Sequence, residues 1–124
     1  MARILIAGED EACLAALAGE LTGHGHEVLT AGNGHDAYTF TLHDAPDVVI
    51  LDTGLRVLNG YEVCALIRND PEISPTLPVI FLTTQDTDIK ALQKAGATDT
   101  LAKRHEAWEV GELLSRLGID RAAP

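Results

Sequence analysis

Positive charge is scarce in this chain: nine Lys and Arg stand against nineteen Asp and Glu, a formal net charge of −10 at pH 7. Surfaces that neutralise nucleic-acid phosphates or dock on anionic lipid need clustered Lys and Arg, so neither is expected as a direct partner. Aromatic residues make up only 4%, which leaves the core to Leu, Val, Ile and Ala. The two cysteines, Cys13 and Cys64, form no Cys-x-x-Cys pair and read as buried free thiols in a reducing compartment. His24, His26, His35 and His43 pair with no Cys or His at zinc spacing. No apolar run approaches the roughly 18 residues of a membrane span. Arg3 is followed by only four apolar residues before Gly8 and Glu9, too few for a signal peptide. The expected location is the cytoplasm.

What is present is alternation. The 124 residues, 46% hydrophobic, suit one ordinary domain. Short apolar runs at 3–7, 27–31, 47–51, 77–83 and 98–102 read as strands. Between and after them, 11–21, 34–45, 60–70, 86–96 and 106–118 read as helices, with Pro46, Pro71 and several glycines as punctuation. Leu14, Leu17, Ala18 and Leu21 share a helical stripe, as do Val63, Leu66 and Ile67, and again Val110, Leu113, Leu114 and Leu117. Five strand–helix repeats imply an α/β domain, a parallel sheet with helices on both faces. The flavodoxin-like order 2-1-3-4-5 is the natural choice, with its switch point between strands 1 and 3. The domain is expected over 1–118, with 119–124 as a C-terminal tail or the start of a linker.

Ligands of such sheets bind at the carboxyl ends of the strands. Strand 1 delivers Gly8, Glu9 and Asp10 there; strand 3 delivers Asp52, Thr53 and Gly54; strand 4 delivers Thr83 and Thr84; strand 5 delivers Lys103. Two carboxylates on one pocket repel and call for a cation, a proton or a lysine nearby. Mg²⁺ fits, because it takes hard oxygen ligands and leaves room for waters and phosphate oxygens. Lys103 adds a point charge and Thr83 a hydroxyl donor. Such a set would accept a phosphoryl group, with Asp52 as nucleophile. A Rossmann binder would need G-x-G-x-x-G after strand 1, and a flavodoxin a Ser/Thr-rich loop there; "GEDEA" is neither. A haloacid-dehalogenase-like phosphatase would want an acid where Gly54 stands.

The stretches "ILIAGED", "PDVVILDTGLRVLNGYEV", "LPVIFLTT" and "GATDTLAKR" resemble, in order and spacing, the receiver (response regulator) domain of bacterial two-component signalling, a CheY-like fold. The resemblance implies that Asp52 is the phosphoacceptor, that Thr83 is the switch hydroxyl and that Lys103 is the conserved-type lysine. It also implies Glu9 and Asp52 as metal ligands, with Gly54 offering its backbone carbonyl. The implied function is phosphoryl transfer from a histidine kinase or phosphotransfer protein, within a phosphorelay, followed by signalling to a downstream protein or fused output domain. A homodimer through the fourth-helix, fifth-strand, fifth-helix face is a further expectation. Beyond self-phosphorylation and autodephosphorylation, no enzyme activity is implied.

Several positions depart from the family. Gly8 stands where the first of two adjacent acids is usual, which weakens the expected Mg²⁺ site. Asp10 could swing in as a ligand, but is better placed as the N-cap of the first helix. Arg56 and Arg104 replace two prolines; without the second, the Lys103–Arg104 peptide is expected trans and the lysine's aim is open. Thr100 occupies the switch position where an aromatic is usual. These changes admit an alternative, a degenerate receiver that binds its partner without phosphorylation. Trp108 is either a partner contact or half-buried core.

Overall fold

The computed structural model describes residues 2–119. Five strands and five helices alternate: β1 Arg3–Ala7, α1 Glu11–Gly23, β2 Glu27–Ala31, α2 Gly34–Asp44, β3 Val48–Asp52, α3 Gly60–Asn69, β4 Val79–Thr83, α4 Ile89–Ala95, β5 Asp99–Ala102 and α5 Ala107–Arg116. Every strand pairing is parallel, and the order is β2-β1-β3-β4-β5, as the alternation predicts.

The period of two along each strand divides the interior into two cores. Leu5, Ala7, Val49, Leu51, Val79 and Phe81 face α2, α3 and α4, meeting Ala37, Val63, Ile67 and Leu92. Ile4, Ile6, Val48, Ile50, Ile80 and Leu82 face α1 and α5, meeting Leu17, Leu21, Val110, Leu113 and Leu114. The three central strands are therefore apolar on both sides, which explains their unbroken Val/Ile/Leu runs.

Local chemistry sets the element ends. Asp10 caps α1, its carboxylate accepting the Cys13 amide at 3.1 Å. Asn59 caps α3 in a reciprocal box with Glu62. Most sequence boundaries move by one to three residues, three of them for a visible reason. β3 runs to Asp52 because that residue still pairs with Leu82 of β4. α4 starts at Ile89 rather than 86, since Thr84–Thr87 closes a turn of its own and Asp88 then caps the helix. β4 starts at Val79 because Leu77 is still in the turn whose amide bonds the Ser74 carbonyl.

Leu66 is a correction: it is 39% exposed, because the stripe of α3 runs through Val63, Cys64 and Ile67. Cys64 is buried as expected, whereas Cys13 is only half-buried; burial holds both thiols above the ordinary thiol range. Trp108 is 62% exposed rather than core. Of the expected tail, all but Ile119 lies outside the described residues. Among the described residues no helix is long and apolar enough to cross a membrane.

Candidate functional site

Asp52 ends β3 with its side chain 15% exposed, and Lys103 Nζ lies 2.7 Å from its Oδ2. The lysine follows β5 directly, and its amide donates to the Thr83 carbonyl at 2.8 Å, which extends the β4–β5 ladder by one residue. No described peptide bond is cis, so the Lys103–Arg104 peptide is trans, and the lysine nevertheless points inward. Its hydrogen bond to Asp52 raises the Lys103 pKa, against an opposing effect of burial. The ammonium thus stays charged across the neutral range. The second Asp52 oxygen, Oδ1, accepts the Gly54 amide at 3.3 Å.

Gly60 makes this geometry possible. Its amide donates to the Thr53 carbonyl at 3.0 Å. A Cβ there would collide with the Asp52 carbonyl oxygen and press on Phe81 Cε1. Only a glycine lets α3 begin so close beneath the end of β3. The "NG" of the sequence motif is therefore a cap followed by a close backbone approach.

Glu9 stands beside this edge and carries its own cation: Arg56 Nε lies 2.8 Å from Glu9 Oε1. Asp10 is engaged in its capping bond to Cys13, and its charge, with that of Asp52, helps hold the Lys103 pKa up. Gly8 bonds the Ala31 carbonyl through its amide at 3.1 Å. A Cβ on Gly8 would sit 3.9 Å from that of Asp52 and 3.3 Å from Leu14 Cδ2. The absent side chain would therefore have projected beside Asp52. Thr83 ends β4 next to Asp52, half-buried, and lines a groove with Lys103, Arg104 and Asp86. Thr100 lies two residues before the end of β5, beside a shallow cavity of about 290 Å³ that also touches Thr83 and Trp108.

Two residues escaped the sequence reading. Arg56 is marked there only as a lost proline; its partner Glu9 is 47 residues away, and no local pattern joins them. His105 is the other. Its side chain is 6% exposed, with Nδ1 2.8 Å from the Ala102 carbonyl and Nε2 3.1 Å from both Glu20 oxygens. It fastens the turn after Lys103 to α1.

As a metal site the edge has the carboxylates of Glu9 and Asp52, and Gly54, whose backbone carbonyl the resemblance implies as a further ligand, follows Asp52 by two residues. These are hard oxygens of the kind Mg²⁺ takes, with coordination positions left for water. The described residues hold no cluster of three or more Asp, Glu, His or Cys side chains placed for a metal. The donor set fits the ion in kind and is one carboxylate short in number.

Comparisons with known proteins identify the fold and the family. The response regulator receiver domain matches residues 4–115. The chain is 37% identical over 105 residues to Protein PilH of Pseudomonas aeruginosa, covering 83% of this chain and 86% of that protein. It is 35% identical over 105 residues to the transcriptional regulatory protein AfsQ1 of Streptomyces coelicolor, covering 83% of this chain but 45% of that longer protein. Among solved structures, the chemotaxis response regulator CheY4 of Vibrio cholerae superposes with a TM-score of 0.86 at 26% identity, over 94% of this chain and 98% of that one. The receiver domain of a sensor histidine kinase from Pseudomonas aeruginosa, which holds a magnesium ion in its active-site cleft, gives the same TM-score, identity and coverage of both chains. With the parallel order β2-β1-β3-β4-β5 and a lysine-bound aspartate at the end of β3, the chain belongs to the response regulator receiver domain family.

Proposed function

We propose that this receiver domain accepts a phosphoryl group on Asp52 from a histidine kinase or phosphotransfer protein and passes the signal on by protein contact. The observation that carries the reading is the 2.7 Å contact of Lys103 Nζ with Asp52 Oδ2. That contact marks Asp52 as a carboxylate with a dedicated cation on a strand edge, where a plain solvated acid would have none.

In the transfer, an Asp52 carboxylate oxygen attacks phosphorus in line as the bond from phosphorus to the donor's imidazole nitrogen breaks. An acyl phosphate forms, and the electron pair leaves with the imidazole. Lys103 exchanges its Asp52 oxygen for a phosphoryl oxygen, and the Thr83 hydroxyl donates to another. Glu9, Asp52 and the Gly54 carbonyl would hold Mg²⁺, which when bound spreads the charge of the phosphoryl oxygens. Thr100 has neither ring nor length to swing between buried and exposed positions. The conformational relay therefore runs through Thr83 and the turn beyond β4 rather than through an aromatic flip. The output is a downstream protein or a fused module, met on the α4–β5–α5 face, where Trp108 is exposed. The same face could support a homodimer.

A second reading has a specific observation behind it. Gly8 and the Arg56–Glu9 pair weaken the cation position, which suits a degenerate receiver that binds its partner regardless of phosphorylation. Intact mass after incubation with acetyl phosphate, with and without Mg²⁺, separates the two. An adduct of one phosphoryl group that requires Mg²⁺ and disappears in Asp52→Asn supports phosphoryl acceptance. No adduct at any Mg²⁺ concentration selects the degenerate receiver.

A further inference from the structure

The two carboxylates read as metal ligands are each matched with a cation of the chain: Asp52 with Lys103, and Glu9 with Arg56. The first pairing belongs to the phosphoacceptor reading. The second does not, since Arg56 stands where the resembled family has a proline. We propose that Arg56 is an internal competitor for the divalent-cation position at Glu9, setting how much Mg²⁺ this receiver needs. The inference rests on the reading of Glu9 and Asp52 as the metal edge.

The stem of Arg56 is fixed even though its side chain is 82% exposed. Its carbonyl accepts the amides of both Gly34, at 2.9 Å, and Leu58, at 2.8 Å. Val57, next in line, is held at φ 69°, a conformation a β-branched residue adopts only under constraint. Gly34 has no room for a Cβ against the Leu58 carbonyl, so α2 and the loop after β3 pack without slack. The arginine therefore leaves the loop from a position defined by backbone hydrogen bonds, and its Nε reaches Glu9 Oε1 at 2.8 Å.

A guanidinium on that oxygen opposes an arriving divalent ion in two ways. It uses a lone pair the ion would take, and its charge repels the ion. For Mg²⁺ to take Glu9 Oε1, Arg56 has to swing into solvent, which its exposure permits. Because the pair is solvent-exposed, the competition is modest, a factor of up to about five in affinity. The factor shrinks as salt screens the pair.

Calorimetric titration with Mg²⁺, repeated with Mn²⁺, tests this on the full chain, Arg56→Ala, Glu9→Gln and the double variant. Arg104→Ala is the charge control, since it removes one positive charge from the same edge without touching Glu9. Circular dichroism checks that each variant is folded. The expected result is an Arg56→Ala affinity two- to fivefold tighter than that of the parent chain and a larger gain than Arg104→Ala gives. No gain is expected from Arg56→Ala once Glu9 is already Gln. Equal or weaker binding by Arg56→Ala, or the same gain in both Ala variants, overturns the competition and leaves the phosphoacceptor reading standing. Failure of the parent chain and all the variants to bind either ion overturns the metal edge itself, and the competition with it.

Discussion

His105 and Glu20 lie 85 residues apart in sequence, yet the imidazole Nε2 sits 3.1 Å from both oxygens of the carboxylate. The other ring nitrogen meets the Ala102 carbonyl at 2.8 Å. The turn that carries Lys103 is thereby tied at its far end to the last turn of α1. Replacing His105 by Ala removes both contacts from a side chain that is only 6% exposed. Urea denaturation should show a loss of about 2–3 kcal/mol. Glu20→Ala should cost less, and the double variant should show coupling of at least about 0.5 kcal/mol. Strict additivity of the two losses would mean the contact contributes nothing.

Val57, at φ 69° and 76% exposed, bears strain with little packing in return. Asparagine tolerates that backbone region better than valine, so Val57→Asn should raise stability by about 1 kcal/mol. The gain would register as a higher Tm in a thermal scan. A lower Tm would show that valine's contacts on this loop outweigh its strain.

The opposite is expected at Gly60. Its Cβ would collide with the Asp52 carbonyl oxygen, so Gly60→Ala should destabilise by about 2–4 kcal/mol. It should also slow phosphoryl uptake from acetyl phosphate, because the end of β3 must move. Unchanged stability would mean that the loop relaxes freely.

His26 makes stability depend on pH. The Ala2 amide donates to its Nδ1 at 3.1 Å, so the ring proton sits on Nε2, which is buried with no partner among the described residues. Burial, helped by the chain's N-terminal charge and by His24, depresses its pKa. The unfolded chain therefore takes up this proton at higher pH than the folded one. Its contribution is complete above the ordinary histidine value of about 6.5 and is lost as pH falls below it. The midpoint of urea unfolding should drop between pH 7 and pH 5, and His26→Asn, which keeps an acceptor for Ala2, should flatten that slope. An equal slope in both proteins would assign the effect to other groups.

The strand order was legible because each run of β-branched and aliphatic residues is short and bounded by Gly, Pro or acids. Val48–Leu51 needs no partner information to read as a buried strand. Asp52, Thr83 and Lys103 were legible for the same reason, since the sheet rule alone sends strand ends to one edge. Leu66 was misplaced because two adjacent leucine-like positions compete for one helical stripe, and only the packing of Cys64 against the Ala95 carbonyl decides which turns in. Arg56 with Glu9 and His105 with Glu20 were illegible in another way. Each is a long side chain reaching an acid far along the chain, and no periodicity encodes such a pairing. The departures at Gly8 and Arg56 were visible as substitutions, while their joint effect on Glu9 needed coordinates.

β5 is four residues long and has a neighbour on one side only. Strands anchored in that way open ahead of the molecule as a whole. Lys103 follows it directly, bonded to the Thr83 carbonyl as one more rung of the same ladder. Amide exchange along β5 is thus also a clock for the aspartate. An opening that lets solvent deuterium onto the Leu101 amide is expected also to release the rung that holds Lys103 beside Asp52.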